Sequence, residues 1–332
     1  MIKKTFLTIL FILSLILHSC EKKESIYSPK NHLKGLSKIE NQTFDLDTIH
    51  TKTITGKYGT KIHFRRELFA VAKNEIITLT LKEFYSFDQL LLNSISTITS
   101  DNKLLESSGV IKINFYAGGK EINLKSQNYL QVEFPDERMK NNNIYIGEID
   151  SLTGFAWSLQ QLKDTLIIVN KGTTRERIIL EQWIDKDSVK IYLDNLSELE
   201  KQRRKNWEKK SSFENSVYLT QLNWINIDRL VNEEYSLSFN LKNKKVEIED
   251  YTYYILYENL NSILTIYKKP SEILNFEEIK IKGNTSLFIL GHIDGNFFSQ
   301  KILLNELKNN STIKLNLKKT EKEEIIKVLK QS

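Results

Sequence analysis

The sequence contains one cysteine, Cys20, and three prolines in 332 residues, and its N-terminal apolar stretch is short. A single cysteine excludes a disulfide within the chain, so the folded part must be stabilised by hydrophobic cores. The apolar stretch runs for twelve residues from Phe6 to Leu17 and is interrupted only by Thr8 and Ser14. A membrane-spanning helix needs about 20 apolar residues, so this stretch is too short to cross a bilayer.

Charge and motif content exclude several classes of function. Lysine and arginine number 48 against 42 aspartate and glutamate, for a formal net charge of +6. The basic residues are spread along the chain without aromatic residues between them, so we expect no nucleic-acid partner. No histidine pair has the spacing of metal ligands, so we expect no metal and no cofactor apart from a covalent lipid. Motifs of metalloproteases, serine hydrolases and phosphate-binding loops are missing, so no catalytic residue is assigned.

The N-terminus has the organisation of an export signal. Met1–Lys4 is positively charged, and the apolar stretch follows it directly. This order is typical of a secretory signal peptide. The residues Leu17-His18-Ser19-Cys20 resemble the lipobox of bacterial lipoproteins, with an aliphatic residue, a small residue and then the cysteine. The resemblance implies cleavage after residue 19 and a fatty-acylated anchor, such as one carrying palmitate, on Cys20. An ordinary signal peptide with an incidental cysteine is the alternative.

The segment after the cysteine differs from the rest of the chain. Residues 20–43 are polar and cannot bury enough surface to fold alone, which predicts a flexible tether. Residues 44–196 are dominated by period-2 patterns, which predict an N-terminal β-sandwich-like domain. Val110–Tyr116 alternates, and Gly118-Gly119 then predicts a tight turn into Lys120–Leu124, because hairpin turns need positive φ.

The C-terminal third predicts a second β-rich domain. A capping-box pattern at Ser197–Glu200 opens a highly charged run, so we expect a helical linker over residues 197–212. Residues 213–332 then carry two predicted hairpins, Leu237–Glu249 and Phe288–Ser299, and a terminal helix after Thr320. The predicted fold is mainly β, with two β-sandwich-like domains joined by a charged helix and a short C-terminal helix.

A second resemblance lies in the N-terminal domain. Gly59–Ile62, Glu83–Leu91 and Leu104–Val110 together resemble a β-sandwich that recurs in exported proteins of Bacteroidota, similar to the β-domains of ankyrins and netrin receptors. This resemblance covers residues 44–135 and implies a fold without catalytic residues. Three acids in it either bind an ion or a sugar, or accept backbone hydrogen bonds at strand ends. We favour the structural role for all three: Glu83, Asp88 and Glu106.

A third resemblance is carried by Trp224-Ile225-Asn226-Ile227-Asp228-Arg229, which resembles a signature of the C-terminal part of Bacteroidota envelope lipoproteins. On a strand, the tryptophan, asparagine and aspartate share one face and the two isoleucines share the other. The candidate ligand surface therefore comprises Trp224, Asn226, Asp228 and Arg229. The structural alternative has Asn226 and Asp228 satisfying a buried loop and Arg229 pairing with an acid. We favour the structural alternative.

These patterns predict a lipid-anchored envelope protein with a non-catalytic binding or structural role. Its expected partners are the membrane, through the lipid, and an envelope protein or polysaccharide. A carbohydrate hydrolase or transglycosylase that uses carboxylates not evident from sequence is the alternative, and an accessory factor in assembly or transport is a third reading. Glu21 follows the cysteine in place of the aspartate that retains enterobacterial lipoproteins in the inner membrane, which favours the outer membrane. The periplasmic or surface-exposed side stays open.

Overall fold

The structure, a computed structural model, describes residues 31–46, 51–126, 128–135, 142–148, 156–160, 167–171, 174–178, 216–242, 250–268, 271 and 273–330. The predicted signal peptide, Cys20 and the predicted helical linker of residues 197–212 lie outside these ranges. Both α-helices of the described ranges are short: α1 (Phe87–Leu92) and α2 (Lys322–Lys330).

Strands make up most of the described chain. They are β1 (Gln42–Asp45), β2 (Thr51–Thr55), β3 (Lys61–Arg65), β4 (Ile77–Phe84), β5 (Leu105–Ala117), β6 (Lys120–Ile122), β7 (Leu130–Glu133), β8 (Asn143–Glu148), β9 (Ala156–Leu159), β10 (Ile167–Lys171) and β11 (Thr174–Ile178). The series continues with β12 (Ser216–Leu219), β13 (Asn223–Leu230), β14 (Tyr235–Lys242), β15 (Asp250–Tyr257), β16 (Ser262–Ile266), β17 (Ile273–Ile281), β18 (Thr285–Ile293), β19 (Asn296–Leu303), β20 (Ser311–Lys314) and β21 (Lys318–Thr320). The protein is therefore mainly β, as the sequence predicts.

The first two sheets pack face to face. Sheet A has seven strands in the order β1-β4-β5-β13-β8-β9, with β6 paired to β5, and sheet B has the order β12-β7-β3-β2. Alternate residues of their strands enter a shared core that includes Leu79, Ile113 and Ile225 from sheet A and Phe64 and Val132 from sheet B. Each fully buried side chain of this kind contributes about 1.5–3 kcal/mol, so the shared core holds the two sheets together.

A second pair of sheets repeats this arrangement. Sheet C has the order β16-β15-β18-β19-β21, and sheet D has the order β17-β14-β20. Their common core includes Tyr253 and Ile289 from sheet C and Phe239 and Phe276 from sheet D. The rings of Phe239 and Phe276 stack with their centroids 5.0 Å apart. Strands β10 and β11 form a separate two-stranded sheet.

A third buried cluster joins the two pairs of sheets. It combines Phe84 and Trp157, on the face of sheet A that points away from sheet B, with Tyr254 and Phe288, on the face of sheet C that points away from sheet D. Helix α1 contributes its three buried leucines to the same cluster, and α2 contributes Ile325. The sheets are therefore stacked in the order B, A, C, D. Sheet C is covered on both faces, whereas sheet A is covered by sheet B on one face and by sheet C over only part of the other.

Strand pairing corrects the predicted start of the second domain at residue 213. Strand β12 pairs with β7 of sheet B, and β13 lies between β5 and β8 of sheet A. Residues 216–230 therefore belong to the first pair of sheets, because their backbone hydrogen bonds are made there. Sheets C and D begin only with β14.

The predicted tether is also shorter than residues 20–43. From Asn31 the chain lies against the folded body, with Leu33 fully buried in the cluster between sheets A and C. Asn31 Nδ2 donates a hydrogen bond to the Leu92 carbonyl at 3.2 Å. The predicted polar segment contains enough apolar residues near its end to pack on a larger surface.

Two predicted hairpins are confirmed, and a third is only partly described. Strands β5 and β6 pair across Gly118-Gly119, and β18 and β19 pair across Asp294-Gly295. All four turn residues have positive φ. Residues 243–249 of the predicted hairpin Leu237–Glu249 lie outside the described ranges. Its first arm, β14, pairs with β17 and β20 of sheet D. The predicted C-terminal helix is confirmed as α2.

Candidate functional site

The predicted Trp224–Arg229 segment lies in the middle of sheet A, within β13. Ile225 and Ile227 point into the core shared with sheet B. The opposite face of β13 carries Trp224 and Asn226, which are two residues apart on the strand. Trp224 packs against the cluster between sheets A and C. The predicted division of this segment between two strand faces is confirmed.

Asn226 and Asp228 are both fully buried and are hydrogen-bonded to each other. Asn226 Nδ2 donates to Asp228 Oδ2 at 2.5 Å, and the Ser108 backbone N–H donates to Asp228 Oδ1 at 3.2 Å. The register between β13 and β5 shifts between Ile227 and Asp228, so Ser108 is the extra residue of a bulge. The Asp228 carboxyl group therefore accepts the hydrogen bond of the Ser108 N–H, which the bulge removes from the ladder between β5 and β13.

The polar network continues into sheet C. Asn261 Nδ2 donates to the Ser107 carbonyl at 3.1 Å, and Ser262 Oγ donates to the Leu105 carbonyl. Asn142 Nδ2 donates to Ser108 Oγ at 2.6 Å from the other side. These bonds attach the turn between β15 and β16 to the bulge in sheet A. The network around Asp228 is consequently a structural joint between sheets A and C.

Burial also changes the protonation of this joint. Removal from water raises the pKa of Asp228 well above the usual value of an aspartate. Hydrogen bonds from Ser107, Asn226 and the Ser108 backbone favour the charged form but do not compensate, and the charge of Glu106 raises the pKa further. Asp228 therefore holds its proton to a higher pH in the folded chain than in the unfolded chain.

Arg229 points away from this network and forms an exposed ion pair. Its guanidinium group lies 2.7 Å from the Glu106 carboxylate on the neighbouring strand. The expected pairing of Arg229 with an acid is confirmed. Of the four candidate ligand residues, the structure brings Asn226 and Asp228 together inside the protein, places Arg229 elsewhere, and leaves Trp224 half-buried at the edge of the covered area.

Glu83 is a second fully buried carboxylate, and it fixes the loop between β2 and β3. Its Oε1 accepts from Thr60 N at 3.0 Å and from Thr60 Oγ1 at 2.5 Å. Its Oε2 accepts from Tyr58 N at 3.0 Å and from Gln42 Nε2 at 2.7 Å. A Cβ at Gly56 would lie 2.5 Å from Oε2, so glycine is required there for close approach. The favoured role of Glu83 as an acceptor of backbone hydrogen bonds is confirmed.

The two buried carboxylates cannot act as a catalytic pair. Glu83 continues the face of Leu79 and Leu81, which points toward sheet B. Asp228 shares its face with Asn226 and points toward sheet C. Glycoside hydrolysis needs two carboxyl groups on either side of one bond, about 5–9.5 Å apart in a common cleft. A sheet separates these two.

An outward-facing trio on sheet B has the atom order of a hydrolytic triad. His63 Nε2 lies 2.6 Å from Glu133 Oε1, and His63 Nδ1 lies 3.1 Å from Thr53 Oγ1. Lys61 Nζ also binds Glu133 at 3.0 Å. Burial alone would raise the pKa of Glu133, but the hydrogen bonds from Lys61 and His63 outweigh it and hold the pKa below its usual value. These side chains lie on the outward face of β2, β3 and β7, and the N–H groups of a strand lie roughly in the plane of its sheet, so they do not form an oxyanion hole above Thr53.

A row of basic and aromatic side chains crosses sheet A where sheet C no longer covers it. Lys82 of β4 is directly opposite Lys112 of β5, which in turn is opposite Trp224 of β13. Lys112 Nζ lies 5.1 Å from the centroid of the Trp224 ring. Partial burial, the charge of Lys112 and the charge of Lys34 all lower the pKa of Lys82. We call Lys34, Lys82, Lys112 and Trp224 the lysine–tryptophan patch.

Beyond this patch, the same face of sheet A is polar, and no other sheet of the described ranges covers it. The face includes hydroxyl, phenol and carboxylate groups, Thr43, Asp45, Thr78, Thr80, Tyr116 and Glu121, around the buried amide of Asn114. Asn114 Nδ2 donates to Glu121 Oε1 at 2.6 Å, and Thr78 Oγ1 donates to Asp45 Oδ1 at 3.1 Å. We call this area the open face.

The described residues include a small cavity but no group of metal ligands. A polar cavity of about 180 Å³ lies between the β18–β19 turn and residues 319–323. This is smaller than the ~300–1,000 Å³ of most small-molecule pockets. Within the residues that the structure describes, no three histidine, cysteine, aspartate or glutamate side chains are grouped to hold a metal ion. None of the helices in the same ranges is long and apolar enough to span a membrane.

Comparison with known proteins gives no relative: no protein family, curated protein sequence or solved structure matches this chain. The fold is a stack of four mainly antiparallel sheets. The candidate binding surfaces are the lysine–tryptophan patch and the open face of sheet A.

Sequence reasoning missed the three lysines of the patch. The alternation of Lys82 with Leu81 and of Lys112 with Ile111 was visible, and it places each lysine on the outward face of its strand. The register that sets Lys82 beside Lys112 depends on pairing between β4 and β5, which sequence alone does not give. Lys34 joins them only because the preceding segment folds back onto sheet A.

Proposed function

We propose that this protein is a lipid-anchored protein of the bacterial outer membrane that acts by binding, without catalysis. The anchor is the lipid on Cys20, supported by the charged start, the apolar stretch and the lipobox-like Leu17–Cys20. The partner is an envelope protein or polysaccharide. The open face of sheet A is the observation that supports binding, since among the described residues it is the uncovered part of a sheet otherwise enclosed between sheets B and C.

The burial of the two fully enclosed carboxylates supports a binding role over a hydrolytic one. Glu83 and Asp228 are each occupied by structural hydrogen bonds and point into different layers. The Thr53–His63–Glu133 trio has the atom order of a nucleophile, base and acid but lies on the outward face of sheet B, where the strand N–H groups do not form an oxyanion hole. The open face instead presents groups that form hydrogen bonds to extended protein or carbohydrate chains.

Cys20→Ala tests the anchor. Without the thiol, the lipid cannot be attached, so we expect the protein in the soluble fraction or as an unprocessed precursor, and no incorporation of labelled palmitate. The matched control combines Cys20→Ala with Ser25→Cys, which restores a thiol outside the lipobox-like sequence and should also stay unlabelled. Palmitate labelling that persists in Cys20→Ala would contradict the proposal.

A further inference from the structure

The lysine–tryptophan patch concentrates positive charge without local compensation. Lys82 and Lys112 are directly opposite on neighbouring strands, a placement of like charges that destabilises a sheet. Within the part of the chain that the structure describes, neither they nor Lys34 forms an ion pair. An external anion would therefore relieve the repulsion among these three ammonium groups.

The indole ring of the patch is already in contact with its neighbours. Phe84 packs against the Trp224 ring with centroids 5.7 Å apart, and Lys112 Nζ lies over the same ring. A sugar that stacks on Trp224 would have to displace Lys112 from this position. The patch therefore offers its cations to a ligand in preference to its aromatic face, which favours a surface of fixed negative charge over a stacked carbohydrate.

The chain places this patch close to the proposed anchor. The segment from Cys20 to residue 30 contains eleven residues, and the flexible tether that the sequence predicts there would have an r.m.s. reach of about 17–20 Å. Asn31 then contacts the body, and Lys34 follows at the start of a short 3₁₀ turn. A lipid on Cys20 would keep the patch near the head groups at high effective concentration.

The geometry points to the lysine–tryptophan patch as a second attachment point, which binds the anionic lipid head groups of the membrane that holds the anchor. This inference rests on the proposed lipid anchor. Lysines near an anionic membrane surface each strengthen binding, by about fivefold per charge. The open face then extends away from the patch, toward a partner.

Amine labelling of the vesicle-attached protein tests the docking directly. The full lipid-modified chain is reconstituted into vesicles rich in phosphatidylglycerol or made only of phosphatidylcholine, and each lysine is labelled with a water-soluble reagent. We expect Lys34, Lys82 and Lys112 to be protected only on the anionic vesicles. Lys242 and Lys314, which are neighbours on sheet D, should label equally on both. Equal labelling of the patch on both vesicle types would overturn the inference.

Charge reversal tests the same surface without the lipid. The full-length Cys20→Ser chain is added to phosphatidylglycerol vesicles, and Lys82→Glu should weaken its binding by about fivefold to about thirtyfold. Lys314→Glu is the matched control, because it makes the same charge change beside Lys242 on sheet D. Both substitutions create an opposite-charge neighbour, so neither should lower thermal stability.

The two experiments separate the possible failures. The first possible failure is that the chain with Cys20 intact does not stay on vesicles, which would show that the lipid anchor is wrong. If Lys82→Glu still weakens vesicle binding of the Cys20→Ser chain in that case, the patch is supported. If both charge reversals weaken binding equally, only net charge matters and the patch is excluded. Tighter binding of the Cys20→Ser chain to polygalacturonate than to anionic vesicles would also overturn the membrane assignment, in favour of an acidic polymer.

Discussion

Trp157→Ala should lower the free energy of unfolding by about 3–5 kcal/mol, because it removes the largest fully buried side chain between sheets A and C. Trp157 Nε1 donates to the Ser96 carbonyl at 2.5 Å. The segment that follows Ser96 is bound to β16, with Thr97 N donating to the Ile263 carbonyl at 2.6 Å. The Trp157 side chain therefore stabilises both the core between sheets A and C and the Ser96–Thr97 segment, which connects the two sheets.

Trp157→Phe is the matched control for this prediction. It keeps most of the ring volume but removes the donor to a buried carbonyl, so its expected loss is smaller, about 1–3 kcal/mol. Urea unfolding followed by circular dichroism measures both variants. Because sheets A and C share a core, we expect one cooperative transition that shifts as a whole. Two separate transitions, with only one shifted by Trp157→Ala, would contradict the shared core.

Asp228→Ala should also be strongly destabilising, by about 2–4 kcal/mol, whereas Asp228→Asn should leave the protein at least as stable at neutral pH. Alanine leaves the Ser108 N–H and the Asn226 amide without their buried acceptor. Asparagine keeps an acceptor for Ser108, and a rotated Asn226 amide can accept from the introduced amide. It also removes a carboxylate that is costly to ionise inside the protein.

The pH dependence gives this prediction a second readout. The folded pKa of Asp228 is raised above the unfolded value of about 3.9, so the folded state binds the proton more tightly. Stability from this group is full below the unfolded pKa and is lost as pH rises toward the folded pKa. Unfolding measured from pH 3 upward, in ~1-unit steps, should show this loss in the parent but not in Asp228→Asn. An equal loss in both would exclude Asp228 as its source.

Local features of the fold could be predicted because their causes are local. The Gly118-Gly119 and Asp294-Gly295 turns require positive φ, and both residue pairs favour it. The face alternation of Trp224–Asp228 follows from strand geometry alone. Turn residues and strand periodicity are therefore sufficient to predict these two hairpins and the two faces of the Trp224–Asp228 strand.

The stacking of four sheets could not be predicted in the same way. Tyr251–Tyr257 is buried at every position, because sheet C is covered on both faces. A strand buried on both faces loses the alternation that marks a two-layer sandwich. Similarly, β12 and β13 return to sheets A and B after a long separation in sequence, which a division into consecutive domains does not anticipate.

The site residues show the same limit. Arg229 was expected to pair with an acid, and β5 supplies Glu106. The hydrogen-bond partners of Glu83 lie on a loop, 23 and 25 residues earlier, and on β1, so only the folded chain identifies them. The lysine–tryptophan patch arises from pairing between strands that are distant in sequence. A single sequence does not determine strand register, so the neighbours that register brings together cannot be predicted from it.

The proposed function requires that the folded body is attached to a membrane through a lipid on Cys20. The decisive measurement is mass spectrometry of the N-terminal peptide from protein purified out of its own bacterial membranes. We expect the mature chain to begin at Cys20 and this residue to carry a diacylglyceryl group, with or without a third acyl chain. A mature chain that begins at another residue, or a Cys20 with a free thiol, would contradict the proposed attachment.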